Sequence, residues 1–233
     1  MISDTLPQLN ARVPSPAATG SAFVFARRIV SLCDFTGSWA SPYAAAGYDV
    51  ELVDMKHGKD ARLVAWGQIH GILAAPPCTH FTVSGAQYWP AKDKDGRTLE
   101  AIGIVDACVR LAAMCKPVWW VLENPIGRVS RWLGPPQFEF DPCDFGGWLE
   151  DGERSHASFP ERDAYTKKTY LWGNFRPPEL KPVKPIPNDK QQNNISMPRD
   201  ANGKLLAWNS DEAKTIRSIT PLGFARAFAA ANP

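Results

Sequence analysis

The sequence predicts an α/β protein with a mostly parallel sheet that is covered by helices. Short runs of β-branched and other apolar residues alternate along the chain with stretches of helical periodicity, which is the pattern of β-α-β units. The 233 residues suffice for one sizeable domain, and 44% hydrophobic with 21% charged residues is ordinary for a globular protein. A single α/β domain is therefore the expected architecture.

The same patterns assign the elements in order. The longest helix is predicted because its apolar residues recur on one helical stripe, namely Leu99, Ile102, Val105, Cys108, Val109 and Ala112. Gly47 is placed to end the first helix. The predicted strands are Arg28–Cys33, Asp49–Val53, Ile69–Ala75, Val118–Leu122 and Thr169–Trp172. The predicted helices are Trp39–Ala46, Leu99–Met114 and the helical region Ser210–Ala231.

Charge and composition disfavour several classes of function. The net charge of +2 does not by itself indicate nucleic-acid binding. Five cysteines without a C-x-x-C pair indicate reduced thiols, and four scattered histidines lack the spacing of a zinc site. No apolar run is long enough to span a membrane, and the N-terminus lacks a signal-peptide core. We therefore expect a cytoplasmic enzyme that uses no metal.

Two short motifs at the ends of predicted strands carry the chemistry. Ile69–Ala75 leads into P-P-C, which ends at Cys78, and the next central strand leads into E-N-P, which begins at Glu123. Residues that follow neighbouring parallel strands face one crevice at the carboxyl edge of the sheet. A thiolate beside a carboxyl group suits covalent attack on an electron-poor ring, with the carboxyl group managing a proton.

Further segments extend this pattern in both directions. C-D-F-T-G-S-W (Cys33–Trp39) and A-A-G (Ala45–Gly47) precede P-P-C, whereas T-Y-L-W-G (Thr169–Gly173) and T-P-L-G-F-A-R-A-F (Thr220–Phe228) follow E-N-P. In this order the motifs resemble those of the DNA (cytosine-5) methyltransferases, from about Ile29 to the C-terminus. The resemblance implies a Rossmann-like, S-adenosylmethionine-dependent methyltransferase fold with helices on both faces of a mostly parallel sheet.

The resemblance also implies a cofactor site for S-adenosylmethionine. Asp54 falls where the family places an acid on the cofactor ribose, although an acid at a strand end is often a turn residue. Asp60 falls near the expected contact with the adenine amine. The expected cofactor-binding residues are Phe35, Thr36, Gly37, Ser38, Trp39, Asp54, Asp60 and Pro76.

DNA is the partner that the resemblance implies, with the target cytosine flipped out of the duplex. Cys78 would be the nucleophile, Glu123 its acid partner, and Asn124 would fix the strand end and the loop through backbone hydrogen bonds. The expected DNA-contacting residues are Thr79, Phe81, Arg128, Arg131, Lys167 and Lys168. Arg128 and Arg131 equally fit solvated surface charges.

The domain organisation follows from composition together with the resemblance. Residues 1–26 are expected to form a flexible arm, and residues 27–175 a catalytic and cofactor-binding domain. Residues 176–209 form a proline-rich and polar loop where family members carry a target-recognition domain. Residues 210–233 are expected to dock as a C-terminal helix. Compact chains of this kind resemble those encoded by bacteriophages, where cytosine modification evades restriction.

Departures from the family pattern leave two alternatives open. Thr79 follows the cysteine where glutamine is usual, and Ala164–Lys168 retain little of the Q-x-R-x-R motif. The reduced recognition region favours the same chemistry on a free cytosine nucleotide, or transfer of a different group. The altered motifs also allow a catalytically silent module that binds DNA or cofactor.

Overall fold

The computed structural model describes residues 27–65, 67–187, 198–200 and 202–233, so the predicted arm at residues 1–26 lies outside the described residues. The strands are β1 (Arg28–Leu32), β2 (Asp49–Val53), β3 (Gly71–Ala74), β4 (Trp119–Pro125), β5 (Phe138–Phe140) and β6 (Thr169–Asn174). The α-helices are α1 (Ser41–Ala45), α2 (Trp89–Lys94), α3 (Arg97–Cys115), α4 (Ser130–Leu133), α5 (Asp211–Ser218) and α6 (Leu222–Ala231).

The six strands form one sheet in the order β2-β1-β3-β4-β6-β5. β2, β1, β3 and β4 run parallel to one another, whereas β6 runs antiparallel to both β4 and β5. After β1 the chain adds β2 on one side and then β3 on the other. The crevice between β1 and β3 is thus a topological switch point, where ligands bind in open α/β sheets.

Two apolar cores cover the two faces of the sheet, because successive residues of a buried strand point in opposite directions. Val30, Ile72 and Leu122 pack under α3 with Val105 and Leu111, among others. On the opposite face, the buried side chains that pack with α1 and α6 are Ile29, Leu73, Val121, Leu171, Tyr43, Phe224 and Phe228. The predicted Rossmann-like α/β architecture, with a mostly parallel sheet and helices on both faces, is confirmed.

Two details of the predicted helices are wrong. Leu99 lies on the outer surface of α3 with 73% of its area exposed, and Leu111 takes its place in the buried stripe. The C-terminal region forms two helices instead of one, because Pro221 lacks the N–H that would continue the first helix. The side-chain oxygen of Ser210 caps α5 by accepting from the amide of Ala213.

Candidate active site

A cavity of about 330 Å³ lies above the carboxyl ends of β1 to β4. The sheet supplies its floor and α5 supplies one wall. The lining residues are Cys33, Asp34, Phe35, Thr36, Asp54, Lys56, Ala75, Pro76, Pro77, Cys78, Thr79, Glu123, Pro125, Lys167, Asp211, Lys214, Thr215, Arg217, Ser218 and Thr220. The volume is in the range of small-molecule and cofactor sites.

Cys78 lies in this cavity at the start of a single 3₁₀ turn, Cys78–His80, that follows β3 and Pro77. The residue is half-buried. Burial raises the pKa of its thiol, Lys167 opposes that rise, Glu123 adds to it, and Arg217 opposes it. The cavity therefore contains a thiol whose ionisation is opposed by burial and favoured by the neighbouring cations.

Glu123 lies within β4, opposite Leu171 of β6, because the strand continues to Pro125. Its carboxyl group lines the same cavity as Cys78. Burial raises the pKa of Glu123, and the positive charge of Lys167 opposes the rise. This environment favours the neutral carboxyl group, which can donate a proton.

Asn124 connects β4 to the loop that precedes Cys78. Its side chain is fully buried, and Nδ2 donates a 2.9 Å hydrogen bond to the carbonyl oxygen of Pro76. This hydrogen bond joins the end of β4 to the backbone of the loop before Cys78. Asn124 does not line the cavity, so its influence on Cys78 passes through the backbone.

The loop after β1 forms the other end of the cavity. Asp34 is buried and accepts hydrogen bonds from Ser31 Oγ and from the amide of Gly37, which adopts a positive φ of 67°. This turn directs Phe35 and Thr36 into the cavity, and Phe35 keeps 37% of its surface exposed.

Asp54 approaches the cavity from the end of β2. One of its carboxylate oxygens accepts a hydrogen bond from the amide of Lys56, which caps the short helix Met55–His57. Across the cavity, Lys56 Nζ donates to Thr215 Oγ1 of α5 at 3.0 Å and lies 4.4 Å from the centre of the Phe35 ring. Lys56 therefore connects the β1 loop with the α5 wall.

Four of the residues expected to bind cofactor do not line the cavity. Trp39 is buried against Phe224 and Phe228 of α6, which corrects its assignment to the cofactor site. Asp60 forms an ion pair with Arg62 at 2.7 Å and caps a 3₁₀ turn outside the cavity. Gly37 and Ser38 shape the β1 loop, where the amide of Ser38 donates to Thr36 Oγ1.

The residues expected to contact DNA occupy different environments. Thr79 and Lys167 line the cavity, and Arg131 is exposed on α4. Lys168 forms an ion pair with Asp141 at 3.0 Å. Phe81 is fully buried beside Trp132, so its ring has no surface on which a base could stack.

Arg128 also differs from its predicted role as a DNA-contacting residue. It is 5% exposed, and its guanidinium is bonded to Asp93, to Thr98 Oγ1 and to the carbonyl oxygen of His80. A guanidinium in this position cannot reach a phosphate of bound DNA, so the assignment of Arg128 as a DNA contact is wrong.

Residues of α5 are the main part of the cavity that sequence reasoning missed. Lys214, Thr215 and Arg217 line it although they lie about ninety residues or more after Glu123. Ser210 followed by two acidic residues is a signal for a helix start, but it does not show where that helix docks. Lys167 Nζ donates to the carbonyl oxygen of Arg217 at 3.3 Å and thereby joins α5 to the segment before β6.

Within the described ranges, no group of three or more His, Cys, Asp or Glu side chains is arranged to hold a metal ion. In the same part of the chain, no helix is both long and apolar enough to cross a membrane.

Comparison with known proteins gives structural similarities but no match in sequence. No profile of a known protein family matches the chain, and no curated protein matches its sequence. Among solved structures, it is similar to a chain from E. coli, encoded within a prophage and provisionally assigned as a DNA modification methyltransferase. The two are 16% identical with a TM-score of 0.40, over 68% of this chain and 53% of that one. The chain thus spans about half the length of the protein it matches, and a similarity of this size carries no conclusion about function.

Proposed function

We propose that this chain transfers a methyl group from S-adenosylmethionine to carbon 5 of cytosine in DNA. The observation that carries the proposal is the shared cavity of Cys78 and Glu123, which lie at the carboxyl ends of the adjacent strands β3 and β4. Each residue belongs to a motif, P-P-C or E-N, that resembles the catalytic motifs of cytosine-5 methyltransferases.

Cys78 would activate the cytosine ring by covalent addition. Carbon 5 is a poor nucleophile until the thiolate forms a bond to carbon 6, which moves the ring electrons toward carbon 5. Carbon 5 then takes the methyl group, the proton on carbon 5 leaves to a base, and the carbon–sulfur bond breaks. The final elimination restores the aromatic ring and returns the thiolate.

Glu123 would stabilise this adduct as a proton donor. Its raised pKa keeps the carboxyl group neutral over a wider pH range than an exposed glutamate. A neutral carboxyl group can donate to the ring nitrogen while negative charge develops there, and the exocyclic amine can donate to its other oxygen. Lys167 lines the same cavity, and its positive charge opposes the rise in pKa that burial causes for both Cys78 and Glu123.

The residues at the other end of the cavity fit the adenosyl part of the cofactor. Asp54 offers a carboxylate for ribose hydroxyl groups, Phe35 offers a partly exposed ring, and Pro76 lines the same cavity. S-adenosylmethionine, when bound, supplies an electrophilic methyl group on its sulfonium. A carboxylate and an apolar ring surface are the chemistry that a nucleoside requires.

In duplex DNA the target base must leave the stack to reach Cys78, at a cost of a few kcal/mol. The cations Lys167, Lys214 and Arg217 around the cavity would favour the approach of the phosphate backbone. The residues 188–197, within the stretch where family members carry their recognition domain, lie outside the described part of the chain.

The proposal is tested by nucleoside mass spectrometry of DNA incubated with the protein and S-adenosylmethionine. The protein should form 5-methylcytosine, and Cys78→Ala should abolish it. Cys115→Ala is the matched control, because Cys115 is also half-buried but ends α3 away from the cavity. Equal 5-methylcytosine formation by Cys78→Ala would refute the covalent mechanism.

A free cytosine nucleotide is the second candidate substrate. Lys167 and Lys214 lie in the cavity itself, where they could bind the phosphate of a single nucleotide. Parallel assays with deoxycytidine monophosphate and with DNA separate the two. Turnover of the nucleotide at least as efficient as that of DNA would favour this candidate, and strict dependence on DNA would exclude it.

A further inference from the structure

The backbone of the loop that carries Cys78 is held by cationic side chains from outside the loop. Lys92 Nζ of α2 donates a 2.6 Å hydrogen bond to the carbonyl oxygen of Thr79. Arg128 Nε donates to the carbonyl oxygen of His80 at 3.1 Å, and the backbone amide of Arg128 donates to the carbonyl oxygen of Phe81 at 2.9 Å. The three carbonyl groups that follow Cys78 are therefore all bound.

The two cations are buried, which is unusual for lysine and arginine. Lys92 is 8% exposed and lies on a face of α2 turned toward the loop. Burial of a charged ammonium group costs free energy unless a strong partner compensates for the lost hydration. A carbonyl oxygen at 2.6 Å is such a partner, and burial lowers the pKa of Lys92, as do the nearby Arg97 and Arg128.

The side chain of Arg128 is held by contacts with α2 and α3. Its guanidinium pairs with Asp93 at 2.8 Å and donates to Thr98 Oγ1 at 2.7 Å. Its Cζ atom lies over the Trp89 ring, 4.7 Å from the ring centre. Asp93 and Trp89 belong to α2 and Thr98 to α3, so Arg128 connects both helices to the Cys78 loop.

We infer that Lys92 and Arg128 are positioning residues that hold the Cys78 loop in its reactive geometry before substrate binds. The inference rests on the proposed function insofar as it concerns methyl transfer. Each residue binds a backbone carbonyl group within two positions of the nucleophile, and neither lines the cavity. They act on the sulfur through the chain that carries it.

This role predicts an effect on turnover more than on substrate binding. A loop that is already ordered does not have to lose conformational freedom during the reaction. Loss of a loop contact leaves the cavity cations and the β1 loop unchanged, so affinity for DNA and cofactor should be retained. The rate of addition to carbon 6 should fall, because Cys78 then samples several positions.

The first test combines hydrogen exchange with kinetics on Lys92→Met, which keeps an unbranched side chain but removes the donor. The amides of Phe81 and Thr82, which both donate to the carbonyl oxygen of Cys78, report on loop order without turnover. We expect exchange in the loop peptide to accelerate about tenfold, and kcat to fall about tenfold or more with KM for DNA changed less than about twofold.

Lys94→Met is the matched control, because Lys94 lies on the same helix, is exposed, and follows Lys92 by two positions. It should leave exchange and kcat unchanged. If Lys92→Met does not fold, Arg128→Lys supplies the same test. A lysine keeps the charge but cannot form hydrogen bonds to Asp93, Thr98 and His80 at the same time.

Unchanged loop exchange in a folded Lys92→Met or Arg128→Lys protein would overturn the inference. So would a rise in KM with kcat unchanged, because that pattern indicates a binding role. If the unmodified protein forms no 5-methylcytosine while loop exchange still accelerates in the variants, the proposed function fails and the loop-holding role stands.

Discussion

Gly127 is the position where a single methyl group should displace the Cys78 loop most directly. A Cβ at this residue would lie 2.1 Å from the carbonyl oxygen of Phe81 and 3.0 Å from the Cα of Thr82. Both are backbone atoms, so no side-chain rotation can relieve the contact. Gly127→Ala must therefore move the loop away from the segment after β4.

The size of this displacement follows from the distances. Real Cβ contacts essentially never fall below 3.0 Å, so the two segments must separate by about 0.9 Å. That movement weakens the 2.9 Å bond from the Arg128 amide to Phe81 and the 3.2 Å bond from the Val83 amide to Ile126. At about 0.5–1.5 kcal/mol each, their loss lowers the free energy of unfolding by about 1–3 kcal/mol.

Activity should fall more than stability would suggest. A misplacement of about 1 Å in a catalytic geometry can reduce a rate by about 100-fold. Because Phe81 is three residues from Cys78, the sulfur should follow only part of the movement. We expect kcat of Gly127→Ala to fall by between about 10-fold and 100-fold.

Urea unfolding and steady-state methyl transfer measure the two effects on one preparation. Gly103→Ala is the control, because Gly103 lies within α3 and a Cβ there meets no atom within 4 Å. It should stabilise the protein by about 0.5–1 kcal/mol, since alanine is the better helix former. A Gly127→Ala protein with unchanged stability and kcat would refute the close packing of the loop against this glycine.

Three further variants test the electrostatics and the core. Glu123→Gln should raise Tm at about pH 8 and leave it unchanged at about pH 4. The reason is that the pKa of Glu123 is raised in the folded protein, so stability is lost as the pH rises and the buried carboxyl group ionises. Equal shifts of Tm at both pH values would contradict this. Lys167→Met should move the rising limb of the pH–rate profile to higher pH, since Lys167 opposes the raised pKa of the Cys78 thiol, and an unmoved limb would mean that another group sets it. Phe224→Ala should cost about 3–5 kcal/mol in urea unfolding, because its fully buried ring stacks on Phe140 at 4.2 Å; a loss below about 1 kcal/mol would show that this core is loosely packed.

The sequence predicted the central strands well because their burial leaves a local signal. β3 is buried at every residue and lies inside the predicted Ile69–Ala75, since continuous apolar runs are typical of strands buried on both faces. The edge strand β2 also has the predicted bounds. β5 was missed because Phe138–Phe140 is only three residues long and follows two prolines. Its position depends on pairing with β6, about thirty residues later.

The candidate site was predictable where motif and strand end coincide. Cys78, Glu123, Asp54 and Phe35 do line one cavity, whereas Trp39 does not. The partners of Trp39 on α6 lie almost two hundred residues away, and nothing in the local sequence indicates that contact. Lys92 gave no signal either, because a lysine on a short helix is normally solvated.

The packing of α6 against α1 has a consequence for how the protein reaches this fold. Tyr43 Oη donates to the carbonyl oxygen of Asn232, a contact that spans 189 residues. At a synthesis rate of about 5–20 residues per second, a nascent chain waits roughly 10–40 s after α1 emerges before α6 exists. Once β3 and β4 have also been synthesised, the face formed by Ile29, Leu73 and Val121 lacks the cover of α6 until the end of that interval. This core should therefore be completed only after α6 is synthesised, and the long sequence separation of its contacts should slow folding.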